Sequence, residues 1–178
     1  ARLGNLDRSV ARNGDANTAG VSVTAEEKAT IEAVATTVAF SVSLSISLVS
    51  LSVTGAGAGT SNLIENEVTA QIEQSDDLVS RGMVLVHAQS IGTITSHVVS
   101  LTIGVSVVGV GVSVSVVSNT IADDVAARIM TSTVTSTAGG ITVRAYSEPT
   151  ITSTATAASV EISIGGAGAG ASSTTVIG

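Results

Sequence analysis

The sequence predicts an all-β fold, a repetitive parallel β-solenoid or a closely related stacked-sheet repeat, with about three units of roughly 57 residues. Three observations carry that prediction. Val98 to Asn119, VVSLTIGVSVVGVGVSVSVVSN, alternates large apolar and small residues. Ala39 to Asn62 and, in truncated form, Ala158 to Gly170 repeat the pattern. Aromatic residues make up only 1% of the chain (Phe40 and Tyr146), so packing rests on Val, Ile, Leu and Ala, which suits thin stacked layers.

The order of elements follows from local signals. Residues 1 to 20 are polar and rich in Gly and Asn, and read as turns and short strands. From Gly20 to Ile31, GVSVTAEEKATI opens a short strand with two cousins, Gly82 to Ile94 and Gly140 to Ile151. The long strands follow. In Phe40, Val42, Leu44, Ile46 and Leu48, period 2 puts large side chains on one face and serine on the other, so one face is greasy and one small. Adjacent large residues at Leu48/Val49, Val107/Val108 and Val116/Val117 flip this phase and predict bends. Glycines 55, 57 and 59, and 165, 166, 168 and 170, remove side chains and allow close approach of another backbone or sheet.

Asn62 to Glu73 and Asn119 to Met130 satisfy two patterns. Ile64, Val68 and Ile72, like Ile121, Val125 and Ile129, lie four apart, which fits a helix stripe, and Asn62 with Glu65 fits a capping box. Even spacing fits a strand too, and the polar turn and V-x-V-x-A segment that follow favour successive rungs of a solenoid.

The register can be counted. Asn62 to Asn119, Ser90 to Ser147 and Ile94 to Ile151 share one interval, 57, whereas Ile31 to Ile94 is 63. The six-residue excess falls in the alternating stretch before Asn62. This divides a single repetitive domain, 1–178, into a partial unit 1–31, units 32–94 and 95–151, and a partial unit 152–178. The interval from Ile151 to Gly178 is 27 and Ile31 stands at position 31, so one chain's C-terminus joined to the next chain's N-terminus spaces the two isoleucines by 58. A near-complete repeat at that junction predicts head-to-tail self-assembly by strand addition, and a window of a longer repeat protein would give the same arithmetic.

The unit also resembles the β-strand-repeat regions of very large secreted bacterial proteins of the haemagglutinin and adhesin kind. Gly55 to Gly59, Asn62, Ile64, Val68, Ala70 and Ile72 carry the likeness, then Asn119, Ile121, Val125, Ala127 and Ile129, then Gly140, Thr142, Arg144 and Ala145. The resemblance implies an elongated parallel β-solenoid exported to the cell surface, where it forms stalks, fibres or adhesive surfaces.

Composition narrows the partners. Net charge is −7 and the seven basic residues are scattered, which argues against nucleic acid. There is no cysteine, so disulfides, thiolate metal sites and a cysteine nucleophile are excluded. No charge lies between Glu32 and Glu65 or between Arg81 and Asp123, but serine at alternate positions and heavy β-branching favour strand over a spanning helix. A membrane barrel would require aromatic girdles that this chain lacks.

Chemistry-bearing constellations are sparse. Asn13, Asp15 and Asn17 have the alternate spacing of calcium-loop ligands, but Thr18 and Thr24 stand where such a loop requires Gly and Glu. Calcium is therefore the single cofactor candidate, ranked behind a plain Asn/Gly turn. Asp76/Asp77 and Asp123/Asp124 form an acidic stripe if repeats stack. His87 and His97 are the only histidines and lack a third ligand nearby in sequence. GAGAG lacks the Gly-Lys-Ser/Thr ending of a phosphate loop, and no Ser sits in a G-x-S-x-G elbow. The sequence therefore predicts a non-enzymatic structural subunit or segment of an extracellular bacterial fibre or adhesin. The alternative is a module that binds surface glycans or ice through flat Ser/Thr faces, with Thr131 to Thr137 and Thr150 to Thr156 as candidate arrays.

Overall fold

A computed structural model describes residues 2–6, 9–11, 20–42, 51–105, 108–162 and 166–177. Its elements are β1 (Arg2–Leu6), β2 (Ser9–Ala11), β3 (Val21–Val42), β4 (Leu51–Ser75), β5 (Leu78–Ser80), β6 (Val84–Val105), β7 (Val108–Met130), β8 (Val134–Ser136), β9 (Ile141–Ile162) and β10 (Gly166–Ile177). Among the described residues there is no helix. The fold is an all-β, parallel, solenoid-like repeat. A coil consists of a long strand, a three-residue strand and a second long strand, after which the chain returns to the first sheet.

Three sheets result, ordered β1-β4-β7-β10, β2-β5-β8 and β3-β6-β9. The ambiguous segments 62–73 and 119–130 both lie in strands, β4 and β7. Their spacing of four is an even number, so Ile64, Val68 and Ile72 share one face of β4, and that face is buried.

The register follows the counted repeat. Val21 N–H donates to Met83 O and Val84 N–H to Gly140 O, which in a parallel ladder sets Val21 beside Val84 and Val84 beside Ile141, offsets of 63 and 57. These equal the spacings of Ile31, Ile94 and Ile151. β5–β8 and β7–β10 pair at an offset of 56, as in Leu78 with Val134 and Val110 with Gly166. β1–β4 and β2–β5 pair at 69, as in Arg2 with Gln71 and Ser9 with Leu78.

Left-handed residues make the corners between sheets. Gln74 (φ 50°) and Thr131 (φ 48°) are the same position of successive coils, 57 apart, and Asp77 (φ 59°) completes the corner before β5. The one-residue difference between offsets 56 and 57 is absorbed after β8, where Gly140 takes φ 89°. There Ser136 Oγ accepts from the N–H groups of Gly139 and Gly140 at 3.1 and 2.8 Å and donates to Gly82 O at 2.8 Å. Gly139 is required for a second reason, because a Cβ there would lie 2.2 Å from Met83 N.

The chain forms two compact units. Unit 1 comprises Ala1–Ala29, Ile64–Gly92 and Ala122–Pro149; unit 2 comprises Thr30–Leu63, Thr93–Ile121 and Thr150–Gly178. Unit 1 has the conventional arrangement. Val23, Val68, Ala70, Ile72, Leu78, Val84, Val86 and Ala88 are buried together, with Val125, Ala127, Ile129 and Val134 packed against them.

Unit 2 reverses it. Val38, Phe40 and Val42 on β3 and Val110, Val112, Val114 and Val116 on β7 point outward, while Ser100, Thr102, Ser113 and Ser115 are buried. The cause is the thinness of the interior. Ser113 Oγ and Ser115 Oγ donate to the backbone carbonyls of Ala158 and Thr156, each at 2.6 Å, so a serine side chain alone spans the gap to the facing wall. Ordinary sheets stack about 10 Å apart to accommodate large branched side chains from both walls, whereas here a hydroxymethyl group already reaches the facing backbone.

The expected bend at Val116/Val117 is corrected by the same observation. Burial alternates without interruption from Gly109 to Ile121, so β7 continues straight and only the residue types exchange faces. Small Gly and Ser fill the interior up to Ser115, and Val117, Asn119 and Ile121 fill it thereafter. Leu48/Val49 and Val107 lie outside the described residues.

Candidate functional site

Four features of the described residues have the chemistry to do something beyond holding the fold. The first is a ladder of polar side chains inside unit 2. Asn62 Nδ2 donates to Asn119 Oδ1 at 2.7 Å and to Ser96 Oγ at 2.9 Å. Ser96 Oγ donates to the same Asn119 Oδ1 at 2.9 Å, and Asn119 Nδ2 donates to Ser153 Oγ at 2.7 Å. Asn119 is fully buried. A buried amide bonded to its counterpart one coil away fixes register, because slipping by one residue would leave every member unpartnered.

Hydroxyl pairs continue this network along the interior. Ser100 and Ser115 share a hydrogen bond of 2.9 Å, and Thr102 and Ser113 one of 2.6 Å. Ser41 and Thr54 pair in the same way between β3 and β4. From Ser96–Asn119 through Ser100–Ser115 to Thr102–Ser113 the position rises along β6 as it falls along β7, so these two strands run antiparallel across the gap. Nothing here resembles an activated nucleophile, since every partner is another hydroxyl, an amide or a backbone carbonyl.

The second feature is Asp123 in unit 1. Its Oδ2 accepts from Ser90 Oγ at 2.8 Å and from Ser147 Oγ at 3.3 Å, while its Oδ1 is out of solvent with no hydrogen-bond partner. Its repeat counterpart is Asn66, whose Nδ2 donates to Ser90 Oγ at 3.3 Å. Asp76 and Asp77 occupy the exposed corner between β4 and β5, a different position of the repeat. Stacking therefore does not bring Asp76/Asp77 and Asp123/Asp124 into one acidic stripe.

The third feature is a row of exposed threonines on β9: Thr150, Thr152, Thr154 and Thr156. Every second residue faces the same way, so the row is regular. At the offset of 57, its neighbours on β6 are Thr93, Thr95, His97 and Val99, so threonine continues across strands only at the first two positions. In the other candidate array Thr131, Thr133, Thr135 and Thr137 are exposed around β8.

The fourth is the outer surface of unit 2. By sequence, unit 2 contains two charged residues, Glu32 and Glu161, against 19 of the chain's 21 in unit 1. Valine occupies alternate outward positions of β7, each about 40% exposed. No signal based on hydrophobicity alone finds this surface, because apolar alternation conventionally marks the buried face.

The remaining sequence candidates do not assemble. Asn13, Asp15 and Asn17 lie outside the described residues. His87 and His97 both lie on β6, ten residues apart along the strand. Among the described residues no group of three His, Asp or Glu is placed to hold a metal ion. The GAGAG segments are extended strand in β4 and β10. No helix among the described residues is long and apolar enough to cross a membrane. No family model matches the chain, no curated protein matches it, and no solved structure matches it.

Proposed function

We propose that the chain is a structural, non-enzymatic segment of an extracellular bacterial fibre or adhesin, built by stacking coil on coil through backbone hydrogen bonds. The observation that carries the reading is the recurrence of one register: an offset of 56 or 57 relates β5 to β8, β7 to β10 and β6 to β9. From β4 onward the coils share that register, so the ladder along β8, β9 and β10 is the one that a further coil needs, and strand addition by another copy uses the same ladder. The Asn62–Asn119 ladder makes that addition selective for the correct register. The resemblance to secreted haemagglutinin and adhesin repeats supports the cell-surface location and the stalk role.

Negative-stain electron microscopy with fibre diffraction tests the reading. Filaments should form as concentration rises, with a reflection along the fibre axis near about 4.8 Å, because strands run across the axis. Short particles that do not lengthen with concentration would contradict growth by strand addition. The denatured mass of the native polypeptide shows whether the repeat unit is a subunit or part of a longer chain.

A second reading, a module for ice or a regular surface glycan, is favoured by the Thr150, Thr152, Thr154 and Thr156 row. Thermal hysteresis, or retention on an insoluble polysaccharide that Thr152→Val with Thr154→Val abolishes, would support it. A purely structural fibre shows neither.

A further inference from the structure

The outer face of the β4-β7-β10 sheet in unit 2 is corrugated. Val110, Val112, Val114 and Val116 form a ridge along β7. On one side, Gly55, Gly57 and Gly59 of β4 are exposed and lie beside the carbonyls of Val112, Val114 and Val116. On the other, the register places Gly166, Gly168 and Gly170 of β10 beside Val110, Val112 and Val114. A valine row thus stands between two glycine rows, with about 4.8 Å from each row to the next.

Such a face is complementary to itself. Turned over and shifted by one strand, a second copy lays its valine ridge in the glycine trough of the first, and the first reciprocates. We propose that this face is a docking surface for a second copy of the chain, packed sheet against sheet, so that fibres associate laterally as well as growing along their axis.

Charge and area select this occupant. No ionised group lies on β4 or β7 within unit 2, so two such faces meet without burying a charge. From Val53 to Leu63 across three strands the patch measures about 35 Å by 14 Å, or about 500 Å². That is below the roughly 800 Å² per partner of a standard interface, which makes one chain's pairing a weak, concentration-dependent one. A lipid bilayer is the other apolar environment available, but open sheet edges with unpaired backbone groups do not occur in hydrocarbon.

The proposal goes beyond axial stacking and stands without it, because it uses a sheet face and not a sheet edge. Sedimentation of the 178-residue chain over about 10 to 200 μM should show self-association that rises with concentration. Val112→Lys with Val114→Lys should weaken it about a hundredfold or more, since an unpaired ammonium is not carried into a dry interface. Both positions point outward, and an unchanged circular dichroism spectrum confirms folding.

Gly57→Val separates shape from stickiness. A Cβ at Gly57 meets Val114 O at 3.8 Å, an ordinary contact, so the fold accepts it while the trough is filled. It should weaken association about tenfold or more. Stronger association on Gly57→Val, a chain monomeric throughout the range, or co-flotation with phosphatidylcholine vesicles would each overturn the proposal. If filaments form, the lysine pair should leave their length unchanged and abolish side-by-side bundling. Loss of length with bundling retained would refute the assignment to this face.

Discussion

The two units answer the same sequence rule, strict alternation, in opposite ways. In unit 1 the buried positions of β4 and β6 carry Val68, Ile72, Val84 and Val86, and charged residues such as Glu26 and Lys28 are exposed. In unit 2 the buried positions of β6 and β7 carry Ser100, Thr102, Ser113 and Ser115 beside Ile94, Val98, Val117 and Ile121, and the row from Val110 to Val116 faces outward. Alternation fixes which residues share a face but not which face is inside. That depends on the distance between facing walls, and in unit 2 a serine hydroxyl already reaches the opposite backbone.

The sharpest contrast is between two large apolar side chains. Ile72 is fully buried in unit 1 and Phe40 is 67% exposed in unit 2. Ile72→Ala should lower unfolding stability by about 3 to 4 kcal/mol through lost burial and a cavity. Phe40→Ser should change it by no more than about 0.5 kcal/mol, as for an ordinary surface substitution. Chemical denaturation at concentrations that keep the chain monomeric checks both, and a costly Phe40→Ser would break the comparison.

In unit 2 polar bonds stand beside apolar burial, with Asn119 between the buried Val117 and Ile121. Asn119→Ala removes the acceptor shared by Asn62 and Ser96 and the donor to Ser153, and should cost about 2 to 3 kcal/mol because buried groups are left unsatisfied. Hydrogen exchange should also quicken in β7 and β9 near Ser153. Exchange that stays as slow as in the parent would mean that the ladder is incidental to register.

The smallest effect belongs to unit 1. Asp123→Asn reproduces the amide of its repeat counterpart Asn66 and removes the negative charge from a group with one oxygen buried without a partner. It should be neutral or stabilising by about 0.5 to 1 kcal/mol, measured by thermal or denaturant unfolding. A loss of more than about 1 kcal/mol would show that the carboxylate is needed where it stands.

Much of the fold was legible because repeats count themselves. The intervals between Ile31, Ile94 and Ile151 are the offsets by which β3, β6 and β9 pair, and the six-residue excess is the difference between the offsets of 63 and 57. The offset of 69 was not legible, because residues 1 to 20 do not share the repeat pattern. The inverted interior was not legible either. Val110 to Val116 has the same period on either face, and only three-dimensional spacing distinguishes a serine-lined gap from a valine-lined one. Asn119 was conspicuous as a repeated residue, but its bonds to Ser96 and Ser153 join three separate strands, and no local pattern in the sequence links them.

Thiol accessibility tests the inverted interior most directly, because the chain has no cysteine of its own. Single cysteines at Val112, Ser113, Val114 and Ser115 would be labelled at low protein concentration. Val112→Cys and Val114→Cys should react at near the rate of a free thiol, and Ser113→Cys and Ser115→Cys should be strongly protected until the chain unfolds. The opposite alternation, with the serine positions reactive and the valine positions protected, would contradict the account.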